Sequence, residues 1–447
     1  MCTEHMLQSY GWSNLPDVCS NWYRVFRSNY PWRRFQFRDY IFTRRKFTSH
    51  AGWQYAIDHW RLRYLIMNAA PKWRQLEILP VTILFNLYEF IRVLTNFSEY
   101  YEKNTEDRPL EGIRSFTFKW QLHLHERGNQ NAKMIGTGGE MLKSLSLLLS
   151  HLHGLNELEL RELQLEPWEC NHFVDDILYQ FDSQLTSLCL INLTKVPRPF
   201  LQIGLFLYLE HLTVSPQHLD ESVVILIADL RQLKSFIIYQ NEKALGASAV
   251  GAKAWQAFSA SNKHTRVYLI QAGKSHGDLL IQPNAPVYAI IYENSIGQLT
   301  DEIAQEICDN YSTSLQYLIQ KGLERRYRPR QFAMRVDMPA VIIALRCAKL
   351  KLLAVRERIS FGTALLLAII SARHKTTLCT RRNALLKRRN WTLGEVHEVL
   401  GVDVDNGWFR EACSSYEALQ REVIKITGSM ASIITDNRYM YSFENNF

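Results

Sequence analysis

Two His-x-His pairs are the residues of this chain whose types could bind a metal: His123 with His125, and His151 with His153. Side chains at i and i+2 of a strand share one face, so such a pair could supply two ligands of a tetrahedral zinc site. His151 and His153, however, lie near a predicted helix end, where the side chains at i and i+2 diverge. No cysteine or carboxylate at a recognisable zinc-ligand spacing completes either set. We therefore predict no metal and no other cofactor, and interpret the histidines as surface or capping residues.

Other catalytic and cofactor motifs are incomplete in the sequence. The glycine-rich turn Gly136–Gly139 lacks the Gly-Lys-Ser/Thr ending of a phosphate-binding loop. There is no His-Glu-x-x-His, and the eight cysteines are scattered without a Cys-x-x-Cys pair. We predict a protein without a catalytic site, whose cysteines are reduced thiols.

The element that must position any binding residues is a short leucine motif that recurs along the chain, called the leucine phrase below. It is clearest in two copies thirty residues apart: Leu155, Leu158, Leu160 and Leu163, then Leu185, Leu188, Leu190 and Leu193. Looser copies begin near Ile113, Leu209, Leu233, Val267, Val287, Leu315 and Leu350. Intervals of this size are typical of leucine-rich repeats, in which each short strand buries its apolar face only when a neighbouring repeat stacks on it.

Between the phrases the apolar period changes from two to nearly four, as in Leu142, Leu145 and Leu149, which indicates amphipathic helices. Alternating strands and helices predict an α/β fold with a parallel sheet on one face. We expect a leucine-rich-repeat right-handed solenoid, or horseshoe, over residues 46–375, followed by a helical C-terminal cap over 376–447. The capping-box spacing of Thr392 and Glu395 marks the start of a helix in that cap.

The candidate binding surface is the concave face of this solenoid. Side chains alternate across a strand, so the residues between the leucines point away from the core. These positions are mostly polar and suit a protein segment; for any one of them the alternative is a solvated residue without a ligand. The candidates are Glu157, Glu159, Arg161, Ser187, His211, Thr213, Ser235 and Tyr239.

Ahead of the repeats, residues 15–37 read LPDVCSNWYRVFRSNYPWRRFQF. The order Val-Cys-x-x-Trp, then a second tryptophan and a basic aromatic strand, resembles the closing half of an F-box. Followed by irregular leucine-rich repeats, it is similar to the F-box proteins of the type of F-box only proteins 33 and 39. Pro31 stands where that family usually has leucine, and the opening helix of the motif is missing, so the resemblance is to an incomplete F-box over residues 1–45.

The resemblance implies a function. In that family the F-box binds a Skp-type adaptor and through it a cullin, while the repeats hold a protein substrate for ubiquitin transfer by other subunits. The adaptor-binding positions carried over to this chain are Leu15, Val18, Cys19, Trp22 and Trp32. The alternative for the two tryptophans is that they pack the short helical remnant of the F-box onto the first repeat.

The charge distribution leaves a third possibility. Basic residues exceed acidic residues by 52 to 44, and they cluster at Arg33 to Lys46, at Arg325 to Arg330 and at Arg381 to Arg389. Clustered cations with interleaved aromatics can bind nucleic acid, but such runs are more often solvated edges or contacts with acidic proteins. We expect nucleic acid to be an unlikely partner.

The sequence also bears on the compartment. Residues 1–16 lack the basic start and apolar run of a secretory signal. The longest apolar runs, Val81–Phe90 and Gly362–Ile370, fall short of the ~20 residues that span a bilayer. We expect no membrane partner and a location in the cytoplasm, the nucleus or both. The function expected first is a substrate-recognition subunit of a Skp-cullin-F-box ubiquitin ligase, and the alternative is a repeat scaffold without adaptor binding.

Overall fold

The computed structural model describes residues 24, 28–38, 41–48, 52–120, 123–124, 133–134, 139–244, 246–273, 278–295, 297–322, 331–428 and 431–443. The chain divides into two compact units, unit 1 (Met1–Thr213) and unit 2 (Val214–Phe447). Both are mixed α/β structures built on parallel strands.

Unit 1 alternates strands with helices along the chain. Its strands are β1 Arg34–Phe37, β2 Thr43–Thr48, β3 Gly52–Ile57, β4 Gln75–Ile78, β5 Ser115–Lys119, β6 His123–Leu124, β7 Lys133–Met134, β8 Glu157–Arg161, β9 Ser187–Ile191 and β10 His211–Val214. Its helices are α1 His59–Ala69, α2 Leu84–Thr105, α3 Glu140–Ser150 and α4 Pro167–Phe181. The parallel sheet has the order β1-β4-β5-β8-β9-β10, while β2 with β3 and β6 with β7 are antiparallel pairs.

The predicted leucine phrase explains this sheet. Leu158 of β8 pairs with Phe116 of β5 and Leu188 of β9, so apolar side chains from successive repeats lie side by side. All three are buried, as is the next row through Leu160 and Leu190. The helices pack in a second layer, in which α2 contacts α3 and α3 contacts α4. The apolar face of each strand is thus buried because the neighbouring repeat extends the core, as the repeats predicted.

Unit 2 continues the same alternation. Its strands are β11 Ser235–Gln240, β12 Arg266–Ala272, β13 Val287–Glu293, β14 Tyr317–Lys321, β15 Leu352–Val355, β16 Ile359–Ser360, β17 Thr377–Arg381, β18 Leu385–Leu386 and β19 Ala431–Ile434. Its helices are α5 Glu221–Ile227, α6 Ala252–Ser261, α7 Asp301–Tyr311, α8 Asp337–Arg346, α9 Phe361–His374, α10 Leu393–Leu400, α11 Asn406–Ala412, α12 Tyr416–Thr427 and α13 Asp436–Tyr441. The parallel sheet has the order β11-β12-β13-β14-β15-β17-β19, and β16 pairs with β18.

The strand phrases predicted for this half are confirmed. Leu269, Ile290, Leu318 and Leu353 pair in sequence across four strands and are buried on the helix side. The bulge between Val267 and Tyr268 shifts the register once, at the start of β12. The strand-and-helix repeat is therefore present within each unit, whereas the horseshoe curvature stays a prediction.

The segment 376–447 departs from the predicted helical cap. Strands β17 and β19 extend the parallel sheet, with Leu378 paired to Leu353 and to residue 431. The predicted helices are present in this segment, but the prediction of a helical cap missed β17 and β19, because each is a strand of only five or four residues. The capping box at α10 is confirmed: Thr392 Oγ1 accepts from the Glu395 backbone N–H, and the Glu395 carboxylate accepts from the Thr392 backbone N–H.

Candidate binding surface

The face of each sheet opposite the helices is called the outer face here. Its side chains alternate with the buried phrase, so the sequence could name them in advance. All eight predicted residues lie on it and none is buried. Those of unit 1 are Glu157, Glu159, Arg161, Ser187, His211 and Thr213; those of unit 2 are Ser235 and Tyr239.

The outer face of unit 1 is polar and largely paired within itself. Arg34 Nη2 lies 2.7 Å from Glu77 Oε1, and Gln36 Nε2 donates to the other Glu77 oxygen over 2.6 Å. Glu159 pairs with both Arg161 and Lys119, the latter at 3.5 Å. Solvent-exposed pairs of this kind contribute about 0–1 kcal/mol each, so they specify the charge pattern of the surface more than they stabilise the fold.

The outer face of unit 2 is aromatic. Tyr268, Tyr288 and Tyr317 come from three neighbouring strands, with ring centroids 5.7 Å apart for the first pair and 5.1 Å for the second. The guanidinium of Arg266 lies over the Tyr288 ring, 4.9 Å from its centroid. We call these three tyrosines the tyrosine strip. All three are partly exposed, and tyrosine with arginine is the combination enriched at protein interfaces.

Tyr288, the middle residue of the tyrosine strip, has a raised pKa and keeps its proton at physiological pH. Partial burial, and then the hydrogen bond with Tyr317, raise the pKa of Tyr288 to about 12. The Arg266 guanidinium opposes this shift and has its own pKa raised, chiefly by a hydrogen bond with Tyr268. At Tyr288 the strip therefore offers a hydroxyl group and a ring face beside the positive charge of Arg266.

Beside the tyrosine strip, the outer face of unit 2 is covered by the chain itself. The covering residues belong to the C-terminal segment, residues 435–443, in which α13 follows β19 and places Tyr439 on the outer face. Tyr439 and Phe443 pack on Ile319, Ala354 and Cys379, forming a cluster of buried residues. Tyr317 and Leu352 pack against the same cluster, so the covered patch and the tyrosine strip are continuous.

Polar contacts fix the C-terminal segment in place. The Tyr439 hydroxyl donates to the Gln320 carbonyl over 2.8 Å. The Asp436 carboxylate accepts two hydrogen bonds from the buried Arg381 guanidinium, at 2.9 and 3.0 Å, and one from Asn383. This bidentate pair lowers the pKa of Asp436. The C-terminal segment thus places the Asp436 carboxylate and the rings of Tyr439 and Phe443 on the outer face.

Of the adaptor-binding residues carried over from the F-box resemblance, the structure describes only Trp32. Leu15, Val18, Cys19 and Trp22 lie outside the described residues. Trp32 ends a short 3-10 helix, Tyr30–Trp32, just before β1, and only 4% of it is exposed. Burial at this level fits the alternative in which Trp32 packs on the first repeat, since an interface residue needs exposed surface.

The second histidine pair, His151 and His153, faces a carboxylate. His151 Nδ1 lies 2.9 Å from a Glu102 carboxylate oxygen, and His153 Nε2 lies 3.6 Å from the other one. The sequence spacing gave no sign of this carboxylate, which α2 supplies. For the first pair, His125 and the side chain of His123 lie outside the described part of the chain. Among the residues that the structure describes, no group of three or more His, Cys, Asp or Glu side chains could hold a metal ion.

Sequence reasoning missed one motif. Residues 273–277 read Gly-Lys-Ser-His-Gly, the spacing of the nucleophile elbow of hydrolases, and they follow strand β12. That elbow requires a helix directly after the serine. Residues 274–277 lie outside the described part, and the described residues 278–286 lead into strand β13 without a helix. The strand-turn-helix context that would support the motif is therefore not seen in the described residues.

The comparisons with known proteins add little to this geometry. No family model matches the chain. No curated protein matches it in sequence either. Among solved structures, the chain is similar to an internalin from Listeria monocytogenes, at 12% sequence identity and a TM-score of 0.30, over 68% of this chain and 90% of the internalin. A similarity of that size does not establish a shared fold or function.

One further observation concerns membranes. Within the described ranges, none of the helices is both long and apolar enough to cross a bilayer.

Proposed function

We propose that this chain is a non-catalytic protein-interaction subunit that holds a segment of a partner protein on the outer face of unit 2. The observation that carries the proposal is the covered patch: this face already holds a short protein segment, its own C-terminal one. The tyrosine strip continues the same surface beyond that segment and is the proposed contact for the partner.

The chemistry of the covered patch defines what the partner offers. The C-terminal segment contributes two aromatic side chains and a carboxylate, which meet apolar residues and an arginine. The tyrosine strip presents the same combination, rings beside Arg266. We therefore expect the partner segment to carry aromatic or large aliphatic side chains together with an acidic residue, because that set satisfies both the rings and the guanidinium.

Site-specific photo-crosslinking in cells tests this proposal. A photoreactive amino acid placed at Tyr288 is expected to give discrete crosslinked products, and Tyr268→Ala is expected to reduce them. The same amino acid at Tyr179, which is 90% exposed on α4 of unit 1, is the matched control. Crosslinks of equal pattern and yield at both positions, or none at Tyr288, would contradict a specific partner on the tyrosine strip.

A finer proposal is that the chain is the substrate-recognition subunit of a Skp-cullin-F-box ubiquitin ligase in the cytoplasm or nucleus. Its support is the resemblance of residues 15–37 to the closing half of an F-box, together with repeats that offer a surface for a substrate. Under this proposal unit 2 binds the substrate, residues 1–45 bind the Skp-type adaptor, and ubiquitin transfer takes place on other subunits.

Co-purification with a Skp-type adaptor tests the finer proposal. We expect capture by the full chain and its loss in Trp22→Ala. Trp60→Ala is the control, because Trp60 is a highly exposed tryptophan on α1. Trp32→Ala is unsuitable as the main variant, since Trp32 is buried and its truncation destabilises the fold. Failure of the wild-type chain to capture the adaptor would leave the interaction subunit and remove the ligase assignment.

A further inference from the structure

Three arginines occupy the same position in the first three repeats of unit 1. Arg33, Arg74 and Arg114 each directly precede a strand of the sheet, β1, β4 and β5. Backbone hydrogen bonds align them: the Arg74 N–H donates to the Arg33 carbonyl, and the Arg114 N–H to the Arg74 carbonyl, both over 2.8 Å. Neighbouring strands are about 4.8 Å apart, so the three side chains form a column along the N-terminal ends of these strands. We call it the arginine column.

Glycines make room for two of these side chains. A Cβ atom at Gly112 would lie 1.9 Å from Arg74 Nη1, and one at Gly154 would lie 2.8 Å from Arg114 Nη1. The guanidiniums are also tied to the backbone, since Arg74 Nη1 donates to the Trp73 carbonyl and Arg114 Nη1 to the Gly154 carbonyl, at 3.2 and 2.9 Å. Two successive repeats thus place an arginine guanidinium against a glycine of the next repeat, although the carbonyl that accepts its hydrogen bond differs.

The arginine column lacks acidic counterparts. Within the described part of the chain, no carboxylate forms an ion pair with Arg33, Arg74 or Arg114. Arg34 is different, because it begins β1 on the outer face and pairs with Glu77 at 2.7 Å. Like charges on adjacent strands repel each other, so an anion bound to the column would relieve this repulsion.

The column lines an open groove. The groove has a volume of about 500 Å3, and Gln75, Ser115 and Glu157 complete its lining. Three guanidiniums, an amide and a hydroxyl give it donors, against the single carboxylate of Glu157 at the far strand. This donor set matches carboxylate or phosphate oxygens, which guanidinium groups bind in bidentate geometry.

We propose that the arginine column is a binding site for an acidic protein segment, through its carboxylate or phosphate oxygens. Side chains on one face of an extended segment repeat about every 6.8 Å, so two acidic residues bridge the three arginines, which span about 10 Å. Nucleic acid fits less well. None of the six lining residues is aromatic, whereas single strands are bound through base stacking, and Glu157 repels a phosphate backbone that continues along the groove.

Fluorescence anisotropy with the full chain tests the site. The probe is a labelled peptide of alternating Asp or Glu and Ser, compared with its Asn and Gln counterpart, with a phosphoserine version, and with a single-stranded DNA of equal charge. We expect the acidic and phosphoserine peptides to bind, with affinity falling as salt rises, and the neutral peptide not to bind. Arg114→Gln is expected to raise Kd by about tenfold or more, the effect of losing a charge-assisted hydrogen bond.

Controls separate charge from folding. Arg34→Gln, at the neighbouring guanidinium that Glu77 already neutralises, is expected to change Kd by less than about twofold. Arg74→Lys keeps the charge and is expected to retain part of the affinity, while thermal unfolding followed by circular dichroism shows that each variant folds. The site does not depend on the proposed function, and Tyr268→Ala in unit 2 is expected to leave peptide binding unchanged.

Several results would overturn the proposal. One is absence of acidic-peptide binding by the folded wild-type chain at low salt. A second is an equal loss of affinity in Arg34→Gln and Arg114→Gln, which would indicate a general charge effect. Tighter binding of the DNA would reassign the column to nucleic acid, and displacement of the peptide by an equimolar amount of inorganic phosphate would reassign it to a free anion.

Discussion

Replacing Tyr439 tests how the C-terminal segment is held on the outer face of unit 2. The Tyr439 side chain is fully buried among Ile319, Ala354 and Cys379, and its hydroxyl donates to the Gln320 carbonyl. Truncating a buried aromatic to alanine costs about 3–5 kcal/mol, whereas removing only the hydrogen bond costs about 1 kcal/mol. Tyr439→Ala should therefore release the segment, and Tyr439→Phe should only loosen it.

The assay uses the thiol that the segment covers. Cys379 is a reduced cysteine with 4% of its surface exposed, so a maleimide reaches it only when the segment opens. Each 1.4 kcal/mol changes the opening equilibrium about tenfold, which gives about 100-fold or faster labelling in Tyr439→Ala and about 5-fold in Tyr439→Phe. Labelling of Cys379 is followed by mass spectrometry of the peptide that contains it.

Labelling of a second cysteine distinguishes local opening of the C-terminal segment from global unfolding. Cys170 is buried in α4 of unit 1, and its rate should not change in either variant. If Cys379 reacts at the same rate in wild type and Tyr439→Ala, the segment is not the cover described above and the reasoning fails. If both cysteines react faster together, the variant unfolds as a whole and the segment is part of the global core.

The remaining predictions concern charge, space and capping. The Arg381 guanidinium lowers the pKa of Asp436 in the folded state. The stability from this pair is therefore present above the unfolded pKa of about 4 and is lost as the pH falls through the folded pKa. Urea titrations should show that the free energy of unfolding falls more between pH 5 and pH 3 in the wild type than in Asp436→Asn. Gly154→Ala should destabilise unit 1 by about 1–3 kcal/mol in thermal unfolding, because the new Cβ would lie 2.1 Å from the Glu111 carbonyl oxygen. In the same assay Gly394→Ala on α10 should be neutral or stabilising by up to about 1 kcal/mol, because no atom lies within 4 Å of the new Cβ. Thr392→Ala removes the cap of α10 and should cost about 1 kcal/mol, with an unchanged melting temperature counting against the capping box.

The sequence predicted the strands of the two sheets because their signal is local. Leu158, Leu188 and Leu318 each lie within a short phrase of alternating apolar residues, and that alternation reports burial on one face directly. The predicted outer-face residues followed from the same alternation. Applying it one step further, to the positions next to Val267 and Leu318, would have found Tyr268 and Tyr317, two members of the tyrosine strip.

The covering of unit 2 could not be predicted in this way. Asp436 and Tyr439 meet residues that are between about 55 and 120 positions earlier in the chain, as in the bonds to Arg381 and Gln320. No periodicity connects such distant residues, and a helix that crosses to the outer face breaks the repeat that the prediction relied on. The arginine column was missed for a related reason, since Arg74 and Arg114 lie far apart in the sequence and become neighbours only through the register of β4 and β5.

The C-terminal segment gives unit 2 an apolar patch that can be closed or open. Because Tyr439 and Phe443 are the side chains that cover Ile319, Ala354 and Cys379, a variant without residues 436–443 would display this patch on the outer face. Exposed apolar patches of this kind promote association between molecules, so the segment protects the sheet against aggregation.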